Sequence, residues 1–238
     1  MNGFDLAAIQ LVNSVAGRWP EFDRFVAFLT WQNLLKGGVF ATLIFWAWFS
    51  HRPRAKEVVV AALYGSVGAV AIARVLAAAL PFRTRPIFNA AVQVHHIDGL
   101  NTGTLIDWSS FPSDHAALFL GLATGLGFIS VPLGVASGLY ATAIILFPRF
   151  YAGIHHATDI IAGGVLGVCL GLFSCWQPLR EKLARPLLAL ERWKPALFYA
   201  AMFVVCFEIA ELFEGVRNSA ESAWRILARH HAIPLHHG

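Results

Sequence analysis

Long apolar runs separated by short polar connections dominate the sequence. No Asp, Glu, Lys or Arg occurs between Asp114 and Arg149, between Asp159 and Arg180, or between Lys194 and Glu208. Each gap holds one or two helices of the ~20 residues that a bilayer requires at ~1.5 Å rise per residue. The pattern predicts about six spans, near Trp31–Phe49, Val58–Leu80, Ser113–Ser130, Val131–Phe147, Ala157–Trp176 and Ala196–Phe213. Only Ser130-Val131-Pro132 separates the third from the fourth, and proline starts a helix far more readily than it continues one, so these two form a tight hairpin. Small residues (Gly121 and Gly125, then Gly134 and Gly138, then Gly163, Gly167 and Gly171) suit close helix packing. Phe4–Ala16 is apolar but interrupted by Asp5, Gln10 and Asn13, too short and too polar to span, and reads as an interfacial helix. The expected fold is an all-α polytopic transmembrane bundle. It divides into an N-terminal interfacial segment (1–30), a transmembrane domain (31–213) and a C-terminal tail (214–238).

Composition agrees with the pattern. With 57% hydrophobic residues, 13% charged residues and a mean hydropathy of +0.60, the chain is too apolar for an ordinary soluble domain. Cys169, Cys175 and Cys206 lack metal-ligand spacing and read as packing residues. The basic connections set the orientation. His51–Glu57 carries Arg52, Arg54 and Lys56, and Gln177–Lys194 carries Arg180, Lys182, Arg185, Arg192 and Lys194, so both belong on the inner side. Counting spans then places Pro81–Phe111 and Pro148–His156 together on the outer side.

That outer side collects groups that are costly near lipid, and hence candidates for chemistry. In Arg149-Phe-Tyr-Ala-Gly-Ile-His155-His-Ala-Thr-Asp159, His155 and Asp159 share a face if a helix begins near His155. A carboxylate accepting from Nδ1–H would fix the tautomer and leave Nε2 as a nucleophile. Arg149 has the fork that matches phosphate oxygens. In Ser109-Ser-Phe-Pro-Ser113-Asp114-His115, Ser113 is a natural N-cap and His115, one turn in, is suited to protonate a leaving oxygen. Arg85 follows in Pro81-Phe-Arg83-Thr-Arg85-Pro86. Each residue alone has a plainer reading as cap, anchor or interfacial histidine, but a phosphate site explains all of them together.

Arg85-Pro86, Pro112-Ser113-Asp114-His115 and Arg149-(five residues)-His155-(three residues)-Asp159 resemble the three signature motifs of the type 2 phosphatidic acid phosphatase family, over roughly residues 57–176. The resemblance implies that His155 attacks phosphorus to form a phosphohistidine, Asp159 orients it and His115 protonates the departing oxygen. It implies further that Arg85, Arg149 and Ser113 hold the phosphate, without metal or other cofactor. Three positions depart from the pattern. The first-motif lysine falls on Ala78, so Arg83, or less favourably Arg74, is expected to replace it. Pro148 stands where a serine is usual. Asp114 replaces a glycine, and its carboxylate must either pair with an arginine or turn away from the phosphate.

The expected activity is that of an integral membrane lipid phosphatase with its site on the periplasmic side of a bacterial inner membrane. The Pro-Ser-Asp-His variant is similar to undecaprenyl-diphosphate phosphatases, which ranks polyprenyl diphosphate first among substrates. Phosphatidic acid and phosphatidylglycerol phosphate come next. A phosphotransferase using the same intermediate, and a non-catalytic lipid-phosphate binding or transport protein, are the alternatives. Membrane lipids are expected partners, nucleic acid is not, and no protein partner is indicated. His95, His96 and Asp98 read as loop residues. Glu208, Glu211 and Glu214 read as an interfacial boundary or a headgroup or cation site, and no role is given to His230, His231, His236 and His237.

Overall fold

The computed structural model of the protein describes residues 2–212 except 91, 93, 96, 98, 99 and 101. Nine helices longer than a single turn are found among the described residues, along with short 3-10 turns at Pro86–Phe88 and Gly103–Leu105. Two N-terminal helices, α1 (Gly3–Asn13) and α2 (Pro20–Trp31), precede the bundle. The bundle comprises α3 (Leu34–Phe49), α4 (Ala55–Ala79), α5 (Asp114–Ile129), α6 (Val131–Tyr151), α7 (Ala157–Cys175), α8 (Gln177–Trp193) and α9 (Pro195–Ala210). Helices α4, α6 and α7 are long and apolar enough to cross a membrane, and α3, α5 and α9 are shorter apolar helices. The six expected spans fall on these six helices.

Several expectations change in detail. Trp31 closes α2 rather than opening the first span, because the chain breaks at Gln32 before α3 begins. The first thirty residues hold two helices, and Pro20 followed by Glu21 and Asp23 is a helix-start signature for the second. The basic connection after α7 is itself a helix, α8, packed on α4. The tail 214–238, Glu214, His96, Asp98 and the C-terminal histidines lie outside the described residues.

The centre of the bundle is α4, α5 and α7, held close by glycine. A Cβ on Gly163 would lie 2.1 Å from the Ser113 carbonyl oxygen, and one on Gly167 would lie 2.2 Å from that of Ala117. A side chain at either position would drive α7 off α5. This contact matters for the site, because it places the start of α7 against the start of α5, where the Ser113 N–H donates to the Asp159 carbonyl at 3.0 Å. At the opposite end the two basic connections meet: Lys56 pairs with Glu191 at 2.5 Å and Arg180 with Glu57 at 3.4 Å. Burial favours the neutral form of the Glu191 carboxyl, but bonds from Lys56, Tyr199 and Trp48 outweigh it and hold the pKa below the ordinary value.

Candidate active site

The end of the bundle away from the basic connections contains a cavity of about 200 Å³. That is room for several waters and so for a phosphoryl group. Its wall includes Arg74, Arg85, Asp114, His115, Arg149 and His155. Of the nine residues singled out in the sequence, these six meet at the cavity, whereas Asp159, Ser113 and Arg83 stand behind it.

The turn between α6 and α7 explains the spacing of the third motif. Gly153 takes φ +66°, a conformation that side-chain-bearing residues seldom adopt, and the chain doubles back. The Arg149 carbonyl then accepts from the Ile154 N–H at 2.9 Å and lies 3.4 Å from that of His155. Arg149 and His155 are thereby fixed side by side. Helix α7 begins at Ala157, the expected start of the fifth span, with His156 as N-cap, because Asp159 Oδ2 accepts the His156 N–H at 2.8 Å and closes the helix start there; His155 sits one residue ahead of the cap.

His155 is 4% exposed. Its Nδ1 lies 3.0 Å from the Ser110 carbonyl oxygen and 3.7 Å from Asp159 Oδ2. A carbonyl can only accept, so Nδ1 carries the proton and Nε2 is left with its lone pair. The tautomer is set chiefly by a backbone atom, with Asp159 second in line. Burial pulls the His155 pKa below the ordinary histidine value; Asp159 opposes this and Arg85 adds to it, so the ring is neutral at pH 7. Asp159 itself is fully buried and is held by Arg83 Nη1 at 2.6 Å and by His156 Nδ1 at 3.2 Å.

Arg83 does not border the cavity. Its other arm, Nη2, reaches Asp5 of α1 at 2.6 Å, and Asp5 also accepts from the Thr158 N–H at 3.0 Å and the Thr158 hydroxyl at 2.7 Å. Burial alone would raise the Asp5 pKa; these bonds outweigh it and hold the carboxyl below its ordinary value. Ser113 is fully buried, and its hydroxyl accepts from the Ala116 N–H at 3.4 Å, as an N-cap does. Arg74 pairs with Asp114, whose Oδ1 lies 3.0 Å from His115 Nδ1. The carboxylate that would repel phosphate is thus paired with an arginine and holds an imidazole.

Arg85 Nη1 donates to the Ile154 carbonyl at 2.9 Å and Arg149 Nη2 to the Thr30 carbonyl at 3.2 Å, so both guanidiniums are braced by backbone. Burial draws Arg85 down from its ordinary pKa, with Asp114 and Asp159 opposing. Ligand atoms of Asp114, His115 and His155 lie within 4.8 Å of one another, which is metal-ligand spacing. Arg74, Arg85, Arg149 and Lys36 border the same cavity and make it a far better place for an anion.

Residues 64–182, half of the chain, match the family profile described as PAP2 superfamily. The chain belongs to the PAP2 superfamily. The PAP2 segment includes all three motifs but begins within α4, so α1, α2, α3 and α9 lie outside it. The bacitracin transport permease protein BcrC of Bacillus licheniformis is 30% identical over 113 residues, 46% of this chain and 48% of BcrC. The chain therefore spans about half the length of this curated relative. The crystal structure of Aquifex aeolicus LpxE matches 71% of this PAP2 chain and 93% of its own length, with a TM-score of 0.51 and 24% identity, which shows a common fold.

Sequence reasoning missed Ser110, Asp5 and Lys36. Ser110 acts through its carbonyl, which no side chain announces. Asp5 and Lys36 were visible as charges in apolar surroundings, a signal that marks a residue for attention.

Proposed function

We propose that this PAP2 protein is a membrane phosphatase that cleaves an amphiphilic phosphate ester or diphosphate through a phosphohistidine at His155. The observation that carries the reading is a buried neutral imidazole with its Nδ1 proton on the Ser110 carbonyl, bordering a cavity with Arg85, Arg149 and a second histidine. Nε2 attacks phosphorus and the bond from phosphorus to the leaving oxygen breaks. Arg85 and Arg149 neutralise the equatorial oxygens. His115, with Nδ1–H on Asp114, passes its Nε2 proton to the leaving oxygen and becomes neutral. Water then attacks the phosphohistidine, its proton returns to His115 Nε2, and inorganic phosphate departs from a regenerated His155.

The charged wall of the cavity, with Arg85 and Arg149, receives the phosphate head of the substrate. Polyprenyl diphosphate leads among substrates on the Pro-Ser-Asp-His variant of the second motif, ahead of phosphatidic acid and phosphatidylglycerol phosphate. The active end lies opposite the basic connections and so on the periplasmic side of a bacterial inner membrane. Phosphate release from these three lipids, without added acceptor, tests the reading. Release from at least one supports hydrolysis. Turnover only with a lipid or sugar acceptor identifies a phosphotransferase. Saturable lipid binding that survives His155→Ala, with no release by the parent, identifies a binding protein.

A further inference from the structure

One wall of the cavity comes from helices outside the family segment and contributes Asn33, Lys36 and Glu211. Lys36 is 6% exposed and lies in a widened π-type turn, Leu34–Gly38, at the start of α3. Such turns are rare and often mark functional positions. A Cβ on the next residue, Gly37, would lie 2.1 Å from Ala210 Cα, so α9 packs directly on this turn and fixes it.

Lys36 Nζ donates to the Thr30 carbonyl at 3.3 Å, the oxygen that also accepts from Arg149 Nη2 at 3.2 Å. This carbonyl belongs to the last turn of α2, where helix carbonyls lack intrahelical partners and the dipole end is negative. The shared acceptor brings the ammonium within about 6.5 Å of the third-motif guanidinium. Two cations held this close in a buried site repel each other, and an anion between them relieves the repulsion.

We propose that Lys36 is a substrate-contacting residue that binds the oxygens of the transferred phosphoryl group together with Arg149. The phosphate site then combines the three family motifs with a cation from α3, and Lys36 supplies the charge that Ala78 lacks. This inference rests on the phosphatase reading given above.

The test uses the full chain in detergent, with inorganic phosphate as ligand and two substrates, a phosphate monoester lipid and a polyprenyl diphosphate. Lys36→Met is expected to weaken calorimetric phosphate binding about tenfold and to lower kcat/KM for both substrates about 10- to 100-fold, the range for lost charge-assisted hydrogen bonds. Its thermal midpoint should stay near that of the parent. Lys36→Arg keeps the charge and is expected to hold phosphate within about threefold of the parent, which provides the test if Lys36→Met fails to fold. Unchanged phosphate affinity and unchanged kcat/KM in Lys36→Met would overturn the assignment. So would a loss confined to the diphosphate, which would place Lys36 on the leaving phosphate, or a loss of phosphate binding in folded Lys36→Arg as complete as in Lys36→Met. A parent that binds phosphate through Lys36 yet turns over no lipid would overturn the phosphatase reading instead.

Discussion

Asp159→Asn separates the two ways in which a carboxylate can serve a histidine nucleophile. Where the carboxylate fixes the tautomer, its amide replacement costs about 10⁴-fold in kcat. Here the Ser110 carbonyl holds the Nδ1 proton at 3.0 Å, so the amide variant leaves the tautomer intact. What it removes is charge. A carboxylate about 4 Å from a developing imidazolium is worth about 4 kcal/mol at an effective dielectric of 20, a ceiling of about 10³-fold. The observed separation is 3.7 Å, and Arg83 at 2.6 Å on the other oxygen screens part of that charge. The expected loss is therefore about 10- to 100-fold in kcat. Arg83 loses one of its two carboxylate partners but keeps Asp5, which adds destabilisation on the order of 1–3 kcal/mol, to be read separately as a lowered unfolding midpoint. Single-turnover phosphate release, on protein shown to be folded at the assay temperature, gives the chemical step. A loss in folded Asp159→Asn as deep as that of His155→Ala would refute the argument and restore Asp159 as the tautomer-fixing group.

Three further outcomes follow from the same geometry. Arg74→Met should lower kcat/KM by about 10- to 100-fold by exposing the phosphate to the unpaired Asp114 carboxylate, and adding Asp114→Asn should recover part of that loss; purely additive losses would show that the pair does not act as a unit. Because burial depresses the His155 pKa, its neutral nucleophilic form persists below the ordinary histidine midpoint, so the acid limb of kcat/KM, where activity falls as His155 gains a proton, should lie below about pH 6.5. A limb at or above that value would contradict the depressed pKa. In a cysteine-free background, single cysteines at the exposed positions Thr84 and Lys182 should label from opposite sides of the membrane, and labelling from one side would undo the topology.

The bundle was legible because membrane helices write themselves as long apolar runs with few charges, and the six expected spans fall on six apolar helices, the first of them starting a few residues later than expected. The close approach of α5 and α7 was likewise foreshadowed by Gly163, Gly167 and Gly171, since only small residues permit it. The network behind the nucleophile was not legible. Asp5 looked like an interruption of an apolar stretch, yet it is fully buried against Arg83 and Thr158, partners far along the chain. The choice of Arg83 to stand in for the missing lysine rested on loop proximity to Arg85, whereas the fold turns Arg83 back toward two carboxylates. Helix periodicity placed His155 and Asp159 on one face, but the turn at Gly153 and the His156 cap keep His155 outside the helix. Its partner then becomes a carbonyl, and backbone atoms leave no trace in a pattern of side chains.

The central claim is that His155 forms the covalent intermediate, and rapid acid-free quenching with radiolabelled lipid phosphate tests it most directly. The account predicts a phosphoenzyme that forms and decays within one turnover, carries its phosphate on His155 by mass spectrometry, and is absent from folded His155→Ala along with all turnover. Phosphate found on another residue, or a phosphoenzyme that persists in His155→Ala, would contradict it.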